Sequence, residues 1–276
     1  MTEFKKDRLD KLLTELGYFE TKSKAQSAIM AGDVKINNEK FTKAGQLVKI
    51  LPDTQIEIKT MPYVSRGGFK LAKAIKEFEI DLNGKICMDA GASTGGFTDC
   101  MLQNGAKFVY AVDVGYGQIA WKLRNNEKVK VIERTNIRNC SLQEIFDDEN
   151  SDKPTFCSID LSFISLNKVL PNIKTLLSPD NAEILALIKP QFEAGKEQIG
   201  KNGVVRSKEV HFEVIKKIIE NSEKLDFYPK KLTFSPITGP AGNIEYLIFL
   251  TKEKIFQEDD KITCIINEAF AKLHDS

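Results

Sequence analysis

No stretch of this 276-residue chain approaches the roughly 18 consecutive apolar residues that a membrane-spanning helix requires. Its opening, M-T-E-F-K-K-D-R-L-D, also lacks the apolar centre of a secretion signal, so a soluble, cytoplasmic protein is expected. An excess of charge of one sign is missing too. Forty basic side chains face 39 acidic ones for a net charge of +1, which excludes a globally cationic nucleic-acid binder and leaves only local basic surfaces. There is no C-x-x-C pair, and the five cysteines, Cys87, Cys100, Cys140, Cys157 and Cys264, are scattered and odd in number. Without histidines at ligand spacing, this pattern predicts free thiols in a reducing compartment and no metal site. Internal repeats and low-complexity tracts are absent. The length suits one α/β domain of ordinary size with a smaller companion.

What is present centres on Ile86 to Phe97, I-C-M-D-A-G-A-S-T-G-G-F. A short apolar run ends in an acid and breaks into glycines, the pattern of a strand delivering its C-terminal end to a nucleotide-like cofactor. A dinucleotide fingerprint needs a glycine where Ser93 stands, so the loop is not built around a pyrophosphate. S-adenosylmethionine carries an adenosine and a charged amino-acid end but no phosphate. It calls for a tight glycine turn with polar groups, and Asp89, Gly91, Ser93, Thr94, Gly95 and Gly96 supply both. The next apolar run, K-F-V-Y-A-V, ends at Asp113, about 20 residues on, where a carboxylate commonly holds the ribose hydroxyls of a bound nucleoside.

Residues 1–60 differ from the rest. Arg8, Leu9, Leu12, Leu13 and Leu16 repeat at helical spacing up to Gly17, and a second helix is predicted from Ser23, with Ala25, Ala28 and Ile29 on one face and Gly32 beyond its end. Short alternating strands follow at V-K-I-N, L-V-K-I and I-E-I-K. Through Thr60 the module has 11 basic and 9 acidic residues, and Lys22, Lys24, Lys35, Lys40 and Lys43 cluster in one helix-to-strand span suited to phosphate contacts. Pro62 breaks regular structure within T-M-P-Y-V, marking residues 61–64 as a linker. From residue 65 to 276, alternating helices and strands predict a doubly wound sheet. The helices include Lys70–Phe78, a second from about Phe97 to Asn104, and His211–Leu225; strands around Leu232 and Tyr246 close the sheet as an antiparallel pair.

Open α/β sheets bind ligands beyond the carboxyl ends of their strands. Asp160 ends one apolar strand there, and Lys189 directly ends another, its stem against the core and its amine at the cofactor edge. Burial and a neighbouring cation, supplied by Lys70, would favour the neutral amine and make Lys189 a candidate base, while Asp160 pulls the other way, so the net shift has no sign from sequence. Glu245 opens an apolar strand aimed at the same edge. Glu193–Arg206, rich in glycine and lysine, is read as a mobile loop over the substrate. Arg66, Lys122, Arg124, Arg134 and Arg138 are candidates to extend a positive surface, and Trp121 and Phe163 are candidates to stack a flipped base.

Two resemblances add to these readings. R-L-D-K-L-L (Arg8–Leu13), S-K-A-Q-S-A-I and G-D-V-K-I-N resemble the S4 RNA-binding domain, which implies contact with structured RNA through Arg8, Lys22, Lys24, Lys35, Lys40 and Lys43, together with Arg66 beyond the module. Lys70, Asp160, Lys189 and Glu245 stand where the K-D-K-E tetrad stands in FtsJ-like ribose 2'-O-methyltransferases. The phrases Y-V-S-R-G-G-F-K-L, D-A-G-A-S-T-G-G-F-T-D, V-D-V-G-Y-G-Q, R-T-N-I-R, I-D-L-S-F-I-S, K-P-Q-F-E and S-P-I-T-G-P-A-G-N-I-E resemble the TlyA family over nearly the whole chain.

The resemblance implies a Rossmann-like, S-adenosylmethionine-dependent α/β fold with a small N-terminal α+β S4 domain. It adds Phe97 and Asn136 to the cofactor-binding set, implies no metal, and makes the expected activity 2'-O-methylation of cytidine in ribosomal RNA of the small subunit, the large subunit or both. Some family members carry the label hemolysin. The alternatives are an RNA-binding assembly factor without catalysis and a membrane-active protein. The first would show a broken tetrad or glycine turn, and neither is broken here; the second needs a hydrophobic span or a strongly amphipathic cationic helix.

Overall fold

In the computed structural model, which describes residues 6–19, 21–59, 61–148, 152–254 and 259–273, contacts divide the chain into Met1–Pro62 and Tyr63–Ser276. Thr60 lies outside the described residues. Tyr63 and Val64, read from the sequence as part of a linker, pack inside the second unit. The Tyr63 ring meets Phe69 edge-on at 5.7 Å, and the Val64 amide donates to Asp99 Oδ2 at 2.8 Å.

The first unit runs β1 (Asp7–Arg8), α1 (Leu9–Glu15), α2 (Lys22–Ala31), β2 (Val34–Ile36), β3 (Glu39–Phe41), β4 (Leu47–Val48) and β5 (Ile56–Ile58). Its core joins Leu9 and Leu13 of α1 and Ala25 and Ile29 of α2 to Val34, Ile36 and Phe41. Thr21 accepts from the Lys24 amide to start α2, and Gly32 ends it in the left-handed region, so side-chain cap and glycine stop bracket the helix. Leu16, expected on the apolar stripe of α1, is exposed because the helix stops one residue before it. β3, β2 and β5 form an antiparallel sheet in that order, and β1 pairs with β4.

The second unit runs α3 (Gly67–Phe78), β6 (Ile86–Ala90), α4 (Gly96–Gln103), β7 (Phe108–Val112), α5 (Trp121–Arg124), β8 (Val129–Ile132), α6 (Leu142–Ile145), β9 (Phe156–Ile159), α7 (Leu170–Leu176), β10 (Glu183–Ile188), α8 (Pro190–Glu193), α9 (Lys208–Glu223), β11 (Tyr228–Phe234), β12 (Tyr246–Thr251) and α10 (Asp259–Leu273). Among the described residues, seven strands share one sheet in the order β11-β12-β10-β9-β6-β7-β8. β6 to β10 are parallel, while β12 is antiparallel to both β10 and β11. β7 and β8 lie to one side of β6, and β9 and β10 to the other, so the strand order reverses between β6 and β9. Such a reversal opens a crevice at the carboxyl ends of the two strands.

Helices cover both faces, and the strands show it in their alternation. Ile184, Ala186 and Ile188 of β10 face the cluster that includes α7, α9 and α10, whereas Leu185 and Leu187 face α3 and α4. β12 repeats the pattern with Tyr246, Ile248 and Leu250 against Leu247 and Phe249. α3 starts three residues before Lys70, and α9 spans Lys208–Glu223 rather than His211–Leu225, since Ser207 caps it by accepting from the Val210 amide at 3.2 Å.

Candidate active site

The topology delivers four charged side chains to one edge of the sheet. Asp160 follows the last residue of β9 and Lys189 the last residue of β10. Glu245 precedes β12, which runs the opposite way and therefore begins at the edge where its neighbours end. Lys70 sits in the first turns of α3, a helix whose N-terminus must lie at that edge if its chain is to re-enter the sheet through β6.

There they form a chain of alternating charge. Glu245 Oε2 accepts from Lys70 Nζ at 2.7 Å, Lys70 Nζ lies 3.8 Å from Asp160 Oδ2, and Asp160 Oδ1 lies 2.6 Å from Lys189 Nζ. The Lys189 contact is a charge contact without hydrogen-bond alignment, which leaves Asp160 Oδ1 buried with no aligned donor. The aligned hydrogen bond from Lys189 Nζ goes instead to Ser162 Oγ, at 3.1 Å. Lys70, Lys189 and Glu245 are buried. Two cations and two carboxylates cancel, which is what allows so many charges to sit together out of water.

Two cavities open on this group. One, of about 370 Å³, is lined by the tetrad, by Ser65, Arg66 and Gly67 before and at the start of α3, by the glycine turn including Thr94, Gly96 and Phe97, and by Ile237–Pro240. The other, of about 490 Å³, lies between the glycine turn and Asp113, Gln118, Asn136 and Phe163. Gly91, Ser93, Asp160 and Ser162 line both, so the two spaces meet at the tetrad. The turn is held open by its backbone. Gly91 has φ of +91°, and a Cβ there would stand 2.6 Å from the Asp160 carbonyl oxygen. Gly95, with φ of +93°, would place one 2.3 Å from Leu123. Asp113 ties the turn down by accepting from the Ser93 and Gly115 amides, each at 2.7 Å, and two such bonds leave lone pairs on both carboxylate oxygens for a ligand.

Residues 63–252 match the FtsJ-like methyltransferase family, and residues 7–56 match the S4 domain. This chain belongs to the FtsJ-like methyltransferase family. A relative in Bacillus subtilis, provisionally named an rRNA methyltransferase (YqxC), is 49% identical over 98% of this chain and 96% of its own length. The 16S/23S rRNA (cytidine-2'-O)-methyltransferase TlyA of Mycobacterium tuberculosis is 39% identical over 88% of this chain and 89% of its own length. A solved structure from Streptococcus thermophilus, provisionally titled a hemolysin, aligns with a TM-score of 0.75 and 41% identity over 99% of this chain and 98% of that one.

The other residues singled out in this FtsJ-like methyltransferase fall into distinct groups. Asp89 lines neither cavity. It is fully buried, alternates with Met88 and Ala90 so as to face α4, and accepts from Thr98 Oγ1 at 2.6 Å and Ser158 Oγ at 3.2 Å. Burial pushes its carboxyl up to about 7 against the pull of those two hydroxyls. Gly95 lines neither cavity and shapes the turn from below. Lys122 is paired with Asp99 at 2.9 Å and Arg124 with Glu133 at 2.6 Å, so their charge is largely satisfied within the protein; Arg66, Arg134 and Arg138 are exposed. Trp121 and Phe163 are both strongly exposed. Phe163 has φ of +63°, uncommon for a bulky side chain, and its ring lies 5.0 Å from Phe192.

Within the S4 unit, Arg8 is held by Asp10 through both arms, at 2.7 and 3.1 Å, Lys22 lies 4.0 Å from the same carboxylate, and Lys35 lies 3.6 Å from Glu57. The Arg8 hydrogen bonds hold the Asp10 carboxyl down at about 2 against its burial. Lys24, Lys40 and Lys43 are exposed.

Glu193–Arg206 is more ordered than a plain loop. Short 3-10 turns span Lys196–Gln198 and Lys201–Gly203, and Asn243 pins the end by accepting from the Val205 amide and donating to the Gly203 carbonyl. Two residues at this edge went unread in the sequence. Ser162 holds Lys189, and the Glu193 carboxylate accepts from Ser165 Oγ at 2.6 Å and the Leu166 amide at 2.7 Å, tying the segment after β10 to the segment after β9.

Proposed function

We propose that this chain transfers a methyl group from S-adenosylmethionine to the ribose 2'-hydroxyl of a cytidine in ribosomal RNA, with the S4 domain contributing RNA contacts. The reading draws on the name of the Mycobacterium tuberculosis relative and on the chemistry of the site. Its main support is the arrangement in which one carboxylate, Asp160, faces two amines at the junction of two cavities.

The donor set fits the cofactor. Asp113 keeps lone pairs for ribose hydroxyls, Asn136 stands across the same cavity, and the bare Gly91 wall with Ser93 and Thr94 offers the polar groups an amino-acid end needs. Bound S-adenosylmethionine supplies a methyl group already activated by its sulfonium charge.

A ribose hydroxyl is a poor nucleophile near neutral pH, so its proton must be taken as it attacks. Lys70 sits between two carboxylates, whereas Lys189 shares one carboxylate and otherwise faces a neutral hydroxyl. We assign Lys189, in its neutral form, as the base that takes the proton. Lys70 then stabilises charge developing on the ribose oxygen, and Glu245 and Asp160 hold the two amines in place.

The test is methyl transfer from labelled S-adenosylmethionine to ribosomal subunits lacking the modification, comparing the parent with Lys189→Ala. Loss of at least about 100-fold in rate, the usual scale for a general base, with cofactor affinity retained, is expected. Transfer at the parent rate would remove Lys189 from this role. The Streptococcus thermophilus relative is described as a hemolysin, which makes direct membrane action a rival; among the described residues no helix is long and apolar enough to cross a membrane, and lysis of liposomes by the pure protein would favour that rival.

A further inference from the structure

We infer that Ser162 is a positioning residue for the base, holding the Lys189 amine off the line of Asp160 and turned toward the junction of the two cavities. The inference rests on the assignment of Lys189 in the preceding section.

Its basis is a mismatch between distance and direction. Asp160 Oδ1 is only 2.6 Å from Lys189 Nζ, close enough for a strong hydrogen bond, yet it lacks an aligned donor; the aligned hydrogen bond runs to Ser162 Oγ at 3.1 Å. An ammonium free to choose would align with the charged acceptor, because hydrogen bonds to ionised partners are roughly twice as strong as those to neutral ones. The serine therefore competes for the orientation of the amine. It stands two residues beyond Asp160, where the chain leaves β9, and its exposed side chain lines both cavities, so it touches the space where donor and acceptor must meet.

The segment that carries Ser162 is itself anchored. Glu193 accepts from Ser165 and Leu166, and Phe163 packs against Phe192, so the serine cannot drift away from the chain that bears Lys189.

Without the hydroxyl, the amine is free to rotate onto Asp160 and form an aligned ion pair, which favours the charged form that cannot accept a proton. The charged groups around Lys189 are Asp160 after β9, Lys70 in α3 with its partner Glu245 before β12, and Asp89 beneath in β6, whose charge couples to Asp160. None of them is altered by changing Ser162. Because the side chain is exposed, Ser162→Ala leaves the core intact.

The experiment measures kcat against pH for the parent, Ser162→Ala, Ser162→Thr and Lys189→Ala on the same ribosomal substrate, with cofactor affinity determined separately. Ser162→Ala is expected to move the rising limb of the profile up by about one pH unit, a loss of about tenfold near pH 7 that recovers as pH is raised. KM and cofactor affinity stay within about twofold, and Ser162→Thr, which keeps the hydroxyl, restores the parent profile. A Ser162→Ala profile that superimposes on the parent, or one lowered equally at every pH, overturns the inference. Lys189→Ala separates the two claims: if it is inactive while Ser162→Ala matches the parent, only the role of Ser162 falls. If Lys189→Ala retains the parent rate, the base assignment itself has failed.

Discussion

Asp89 shows how one residue reports on its surroundings. Its carboxyl, buried under the glycine turn, is raised from an ordinary 3.8 to about 7, so between those values the folded protein holds a proton that the unfolded chain has released. The stability that Asp89 contributes must therefore fall as pH rises from about 4 to 7 and level off above. Asp89→Asn keeps a side chain of the same shape for Thr98 and Ser158 to contact and removes the ionisation. Denaturant unfolding of parent and variant should show the variant gaining relative to the parent by about 4 kcal/mol between pH 4 and pH 8. A constant difference across that range would mean that Asp89 is not the group responsible. Asp10 runs the other way: held down at about 2, it contributes stability present above pH 4 and lost as pH falls through 2.

At the scale of elements, the ends of strands were the legible part of this sequence. Lys189 follows an uninterrupted apolar run and Asp160 a buried strand broken only by Ser158, and a charge that ends a buried parallel strand has nowhere to go but the ligand edge. Glu245, at the head of β12, reached the same edge because β12 runs antiparallel, and the sequence indicated that pairing too. Contacts made by loops were not legible. Ser162 and Glu193 look like ordinary loop polar residues until the β9 and β10 ends lie side by side, and nothing in local spacing announces a 27-residue or 28-residue separation between partners. Asp89 was read as a cofactor ligand from its place before the glycines. Strand alternation turns its side chain to α4, and a reading by adjacency misses that face.

The glycine turn yields its own prediction at this scale. At Gly91, a positive φ and a Cβ position 2.6 Å from the backbone oxygen of Asp160 act together, and backbone cannot step aside as a side chain can. Gly91→Ala should cost about 1–2 kcal/mol from the left-handed conformation alone. Because Gly91 and the displaced Asp160 segment both line the cavities at the glycine turn, cofactor affinity measured by calorimetric titration should fall at least about tenfold. Parent affinity in a folded variant would mean the turn does not shape the cofactor site.

At the scale of the whole molecule, a net charge near zero hides a division of labour. In the S4 unit Arg8, Lys22, Lys24, Lys35, Lys40 and Lys43 are all exposed, with Arg8, Lys22 and Lys35 lying within 4.0 Å of carboxylates. In the methyltransferase unit both cations of the tetrad lie against carboxylates, in keeping with the proton-handling role proposed for them. The chemistry assigned to that unit makes one product and no other. The most direct measurement is to incubate the full chain with labelled S-adenosylmethionine and ribosomal subunits lacking the modification, then digest the RNA with alkali. A 2'-O-methyl group removes the hydroxyl that attacks the neighbouring phosphodiester, so the label is expected in an alkali-resistant dinucleotide that begins with cytidine. Label released in ordinary mononucleotides would place the methyl group on a base and contradict transfer to the ribose.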